Sequence, residues 1–189
     1  MAEENRSRVL RAATSSFLAR GYGSSVDEIA RRAGVAKQTV YHHFPSKDRL
    51  FREVARELAM SVLIELEGED VRAALLRFAL AYRARALGAE GIATFRTLVP
   101  AVPRFRSLAK AMYANTAGEM VQRLAQYLGG AMRAGRLRRD DPELAAEMLL
   151  SMLAGVDRVK RLFGMANGLE NDAKRAARIV ECFLRAYQP

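Results

Sequence analysis

Apolar residues recur at helical spacing along nearly the whole of this 189-residue chain, and almost nothing in it reads as a strand. Leu10, Ala13 and Phe17, then Ala30 and Ala33, are early instances of a spacing that places side chains on one face of a helix. Long alternating runs are missing, and no Asn-Gly or Asp-Gly pair joins two of them as a hairpin would require. The expected fold is all-α, with about nine helices. Breaks are expected at Gly21–Ser25, Gly34, Pro45, Gly68, Gly88–Gly91, Pro100–Pro103, Gly135–Asp141 and Gly164–Asn171. Asp141-Pro142-Glu143 is a helix start, with a capping Asp, a first-turn proline and an acid near the positive dipole end. Pro103 suits the first position of a helix over 104–113, and Gly135 and Gly164 sit where helices should stop.

The totals narrow the class. Half the residues are hydrophobic, enough for a real core, and no apolar run has the length of a bilayer span. The first residues, Met1-Ala-Glu-Glu-Asn, are acidic and polar, unlike a secretory leader. A single cysteine, Cys182, forms no internal disulfide and no cysteine-based metal site; it reads as a small packing residue in a reducing cytoplasm. The net charge of +10 suggests a polyanionic partner. Its distribution does not say which: residues 104–139 hold eight Lys/Arg against one acid, residues 1–50 nine against five.

The stretch from Ser25 to Phe51 carries the chemistry. Ser25-x-x-Glu28 is a capping box that opens a helix at Val26, whose apolar face is Val26, Ile29, Ala30 and Ala33. Gly34 ends it by supplying the left-handed backbone of a tight turn. A second short helix, about Lys37–His43, buries Val40 and Phe44; Pro45 stops it, and Ser46 caps a long helix from Lys47. Helices this short are not stable by propensity, so they must pack on Leu10, Phe17 and Leu50. Two short helices crossed over a three-residue turn form a helix-turn-helix, whose second helix enters the major groove of B-DNA. On that helix Lys37, Gln38 and His42 offer donors to base edges or phosphates, and Thr39 and Tyr41 offer hydroxyls to phosphate oxygens. Tyr41 fits a core position as well. Lys47, with the free N–H groups of its helix, makes another anion site.

Residues 8–58 resemble the DNA-binding domain of the TetR family of bacterial repressors. The resemblance is carried by Phe17, Gly21-Tyr22, Ser25-Val26, Ile29-Ala30, Ala33-Gly34-Val35, Thr39-Val40-Tyr41-His42-His43-Phe44 and Ser46-Lys47-Asp48-x-Leu50. It implies phosphate contacts from Ser25, Thr39, Tyr41 and Lys47, and base contacts from Lys37, Gln38 and His42. Ala36 departs from the family pattern, which has a capping serine or threonine there; the lost cap is worth about 1 kcal/mol. Residues 70–163 are similar to the AcrR-like branch in Pro103-x-Phe105 and in Met132-Arg-Ala-Gly-Arg-Leu with Asp141-Pro142. The implied organisation is a helix-turn-helix domain over residues 1–50 and a helical domain over 51–189 that forms a two-fold dimer and encloses an effector.

Candidate residues of the second domain follow from type and spacing. Phe78, Tyr82, Phe95, Met112, Tyr113, Met120, Met148 and Met152 are pocket candidates, although such residues at helical spacing also build ordinary cores. The apolar stripes of Leu144–Phe163 and Ala173–Tyr187 are wider than one buried face needs. They predict a four-helix bundle between two copies, with Ser151, Ala154, Gly155, Val180, Phe183 and Leu184 at the interface. Adjacent histidines at 42 and 43 point about 100° apart on a helix and do not share a metal. No nucleophile–base pair, phosphate loop or cofactor motif is evident, so neither an enzyme nor a cofactor is expected. The expected function is a ligand-responsive repressor on a palindromic operator. An activator or ligand-independent regulator, and more remotely a basic helical protein binding nucleic acid or membrane surface by bulk charge, remain open.

Overall fold

A computed structural model of the chain describes residues 2–60, 66–103, 106–165 and 172–189. Among these every regular element is helical. Ten α-helices occur: α1 (Ala2–Arg20), α2 (Val26–Ala33), α3 (Lys37–His43), α4 (Lys47–Met60), α5 (Val71–Leu87), α6 (Ala89–Leu98), α7 (Arg106–Tyr113), α8 (Glu119–Arg133), α9 (Pro142–Leu162) and α10 (Asp172–Ala186). A π-helical turn, Ala114–Gly118, runs between α7 and α8 without an interruption, so counting that stretch as one helix gives nine.

The chain divides into two compact units, residues 1–61 with 93–116, and residues 62–92 with 117–189. In the first, α1 packs on α2, α3 and α4, and α4 also packs on α7. Its core is Val9, Leu10, Ala13, Phe17, Ile29, Ala30, Val40, Phe44, Leu50, Phe51 and Val54. Phe17, Tyr22 and Phe51 form an aromatic knot, with the Phe17 and Phe51 rings edge to face at 5.0 Å. The Thr97 hydroxyl donates to the Phe17 carbonyl at 3.0 Å, pinning the second half of α6 to α1.

In the second unit α5 packs on α9 and α10, and α8 packs on α9. Leu75, Phe78, Leu124, Leu128, Leu149, Leu153, Val180 and Phe183 fill the space between them. The start of α9 is as read: Asp141 accepts from the backbone N–H of Glu143 at 2.9 Å and of Leu144 at 3.3 Å, with Pro142 at the first position. Pro103, by contrast, lies in a turn, and α7 is described from Arg106 onward; residues 104 and 105, hence Phe105, fall outside the described residues.

Among the described residues charge is buried at one place that the spacing of residues does not reveal. Arg83 of α5 is 2% exposed. Its guanidinium donates to the Leu153 carbonyl and to the carboxylates of Asp157 and Asp172, and Arg175 meets Asp157 at 2.7 Å. Burial pulls this guanidinium toward neutrality, and its hydrogen bonds to the Asp172 and Asp157 carboxylates more than offset it, so its pKa is raised. Arg85, Arg96 and Arg123 are not buried; Arg85 pairs with Glu90 and Arg123 with Glu119. A long cationic side chain is held inside only where several acceptors converge, and α5, α9 and α10 converge at Arg83.

Candidate nucleic-acid interface

The reading head is assembled by local capping and one forced turn. The Ser25 hydroxyl accepts from the Glu28 N–H at 3.1 Å and opens α2. The Glu28 carboxylate turns to Arg20 and Arg32. At the other end Gly34 takes φ +64°, where its N–H and that of Val35 reach back to the last carbonyls of α2. A Cβ there would also stand 2.5 Å from the Arg8 guanidinium, which donates to the Gly34 carbonyl at 3.1 Å. The turn is therefore held from α1 as well as by its own backbone. Ala36 begins α3 with no side-chain cap, as its methyl group dictates. Helix α3 instead relies on Val40 and Phe44, which are 1% and 3% exposed. Ser46 caps α4 by accepting from the Arg49 N–H at 3.1 Å.

Burying Val40 and Phe44 turns the opposite side of α3 outward. Lys37, Gln38, Tyr41 and His42 are exposed and Thr39 is half-buried, so the structure brings these five onto one short helix. Tyr41 is 41% exposed, which removes the core alternative for it. Ser25 is exposed at the start of α2. His43 is half-buried with its ring 5.2 Å from that of His42. No group of three His, Cys, Asp or Glu side chains gathers at metal-binding distance among the described residues.

Two cations of the head are already engaged. Lys37 Nζ lies 2.9 Å from an Asp27 carboxylate oxygen, and that hydrogen bond, with the attraction behind it, raises the lysine pKa. Lys47 stands 4.2 Å above the ring of Tyr22, whose hydroxyl donates to Asp48. Asp27 was not singled out in the sequence, because an acid at the start of α2 reads simply as a dipole partner. It acts as a latch on Lys37. The Asp27→Asn variant is expected to free that lysine for phosphates and to steepen the salt dependence of binding to mixed-sequence duplex DNA by about 0.9 in log–log slope for each protomer bound. Unchanged slopes in a salt titration would show that Lys37 escapes Asp27 without help.

Comparison with known proteins agrees with this architecture. Residues 9–54 match the family described as bacterial regulatory proteins, tetR family, and residues 73–189, more than half of the chain, match the AefR-like transcriptional repressor C-terminal domain. The chain belongs to the TetR family. It is thus a DNA-binding transcriptional regulator of that family.

Among curated TetR-like relatives, the transcriptional activator FasR of Mycolicibacterium smegmatis is 47% identical over 53 residues, 28% of this chain and 24% of that protein. The uncharacterized regulator YdgC of Bacillus subtilis is 37% identical over 78 residues, 36% of this chain and 40% of that one. The chain thus spans well under half the length of these relatives where it matches them. Solved structures match throughout. A protein of Mesorhizobium loti described as a TetR-family transcriptional regulator superposes with TM-score 0.89 at 28% identity, over 100% of this chain and 99% of that one. The flavonoid-responsive regulator FrrA superposes with TM-score 0.82 at 31% identity, over 98% and 97%.

The second set of candidates is divided between the two units of this TetR-family chain. Phe78 and Tyr82 stack at 5.8 Å on α5, and Met120 packs against the same core. Phe95 and Tyr113 belong to the other unit and are exposed. Met148 and Met152 face outward on α9, and the Met112 side chain lies outside the described residues. The interface candidates divide instead by burial. Ser151 and Gly155 are exposed and Leu184 is half-buried, but Ala154, Val180 and Phe183 are at most 2% exposed inside the protomer's own core. Periodicity shows that a helix has two apolar faces without saying which one is the inside. The outward face of α9 is Leu144, Met148, Met152, Val156, Val159 and Phe163. Cys182, read as a packing residue, is exposed because α10 buries Ala176, Val180 and Phe183 on its other side.

Proposed function

We propose that this protein is a ligand-responsive repressor that binds a palindromic operator as a homodimer, with residues 1–50 reading DNA and residues 51–189 pairing the copies and taking the effector. The observation that carries the DNA part is the outward face of α3, where Gln38, Tyr41 and His42 stand exposed beside the buried Val40 and Phe44. Gln38 offers two bonds to adenine, Lys37 donates to guanine, and Thr39, Tyr41, Ser25 and Lys47 meet phosphates. Pairing is supported by the apolar stripe along α9 and its C-terminal end, six large side chains that are exposed on one helix face among the described residues. A two-fold copy of that stripe covers it and sets the two α3 helices for half-sites about 34–36 Å apart. The small-molecule response is supported by FrrA, whose own name makes it flavonoid-responsive. The sign of regulation follows the repressor description of the matching C-terminal domain; FasR is an activator, but its match spans only 53 residues. No described helix is long and apolar enough to cross a membrane, and the site of action is the DNA of the cytoplasm.

An effector acts here by preferring the dimer geometry in which the reading heads no longer match one DNA turn, and it releases DNA only to the extent of that preference. Selection of bound fragments from random DNA, repeated with candidate effectors, tests the whole reading. A recovered palindrome that an effector depletes supports it; retention of DNA without sequence preference overturns it. Two substitutions separate the roles on α3. Tyr41→Ala is expected to weaken binding to every duplex, whereas Gln38→Ala relaxes base preference at one position, by about 1–3 kcal/mol of discrimination, with little loss elsewhere. Parallel titrations on the selected site and its single-base variants distinguish the two, and identical profiles for both mutants and wild type would remove α3 from the interface.

A further inference from the structure

An open groove of about 570 Å³ lies between α1 and the end of α2, and it is lined by Arg8, Arg11, Arg31 and Arg32 together with Ser15 and Gly34. None of its lining residues is acidic. Two of the four arginines are committed within the fold: Arg8 donates to the Gly34 carbonyl, and Arg32 donates to the Ser15 hydroxyl at 3.2 Å and meets Glu28 at 3.2 Å. Arg11 and Arg31 are exposed and make no ion pair or side-chain hydrogen bond among the described residues. Like charges gathered around one concavity repel, and arginine forks are suited to two-pronged contact with phosphate oxygens. Nothing in the core needs these two side chains.

The groove is continuous with the reading head. Its wall includes Gly34, in the turn that leads into α3, which begins three residues later at Lys37. We infer that the α1–α2 groove is a second DNA-backbone site, in which Arg11 and Arg31 grip phosphodiesters flanking the base pairs read by α3. The contact is to phosphate alone, so it extends the footprint and carries no base preference. This inference rests on the operator-binding reading of α3 and extends it to a separate surface.

The test is the Arg11→Gln/Arg31→Gln variant of the full chain, titrated over a range of salt against the duplex recovered by selection, with and without flanking base pairs. Two lost phosphate contacts in each protomer, four in the dimer, lower the log–log salt slope by about 3.6, so that affinity falls about 150-fold less than for wild type between 50 and 200 mM salt. The variant also loses the affinity that flanking base pairs add, while keeping the selected sequence preference and the wild-type melting temperature. Equal slopes for variant and wild type, with the palindrome still preferred, overturn the groove while leaving the α3 reading intact; failure of wild type to prefer any sequence strikes the α3 reading itself. Inorganic phosphate and pyrophosphate form the remaining arm. Saturable binding of either that the double variant abolishes, combined with an unchanged DNA slope, assigns the groove to a free anion and overturns the inference.

Discussion

Val156→Glu is expected to leave the protomer folded, convert the protein to a monomer at micromolar concentration, and lower operator affinity by roughly 100- to 10,000-fold. Val156 is 65% exposed in the protomer, so a carboxylate there disturbs no packing and replaces a β-branched residue by a better helix former. In a two-fold bundle the same carboxylate is buried against the partner's apolar stripe, and symmetry places it there twice. Burying an unpaired ion costs several kcal/mol each time, comparable to the whole association energy of a modest interface. A monomer meets one half-site only, so the gain from tethering a second head is lost. Sedimentation, helical content and DNA titration report the three parts separately. A variant that still sediments as a dimer with wild-type affinity would show that the α9 stripe is not where the copies meet.

Arg83→Met is expected to destabilise the protein by about 3 kcal/mol, the low end for breaking a buried ion pair. The Asp157 and Asp172 side chains are 17% and 16% exposed, so water recovers part of what they lose, and Asp157 keeps Arg175 at 2.7 Å. The Leu153 carbonyl and the Asp172 carboxylate lose the guanidinium that joined them across α5, α9 and α10. Arg83→Lys does not restore the loss, because one ammonium on a flexible stem cannot reproduce a planar fork aimed at three acceptors. Urea unfolding at a fixed protomer concentration measures both variants, since the proposed pairing of copies would make stability depend on concentration. A loss below about 1 kcal/mol for Arg83→Met would mean that the network contributes no more than a surface pair.

The reading head was legible in the chain because its determinants are local. Ser25 caps its own helix three residues on, Gly34 must take a left-handed backbone, and Pro45 and Ser46 end one helix and begin the next. Each of these acts through bonds to residues a few positions away, so the types and spacings suffice. Apolar positions on α2 and α3 then leave only one side of α3 free, and Gln38, Tyr41 and His42 occupy it.

Contacts between distant stretches were not legible. Asp27 and Lys37 are ten residues apart and meet only because α2 and α3 cross; Arg11 and Arg31 share a groove only because α2 lies along α1. On α9 the alternation of apolar residues announced two sides, but the packing of α5 and α8 decided that Ala154 turns in and Met148, Met152 and Val156 turn out. Sequence alone determined that the chain is helical, where α2 and α3 begin and stop, and that these two make a helix-turn-helix, since backbone hydrogen bonding and capping are settled within a turn or two. Tertiary structure decided which charges pair, which face of a two-sided helix is spent on the core, and where Arg83 is buried, because burial and ion pairing depend on residues dozens of positions away.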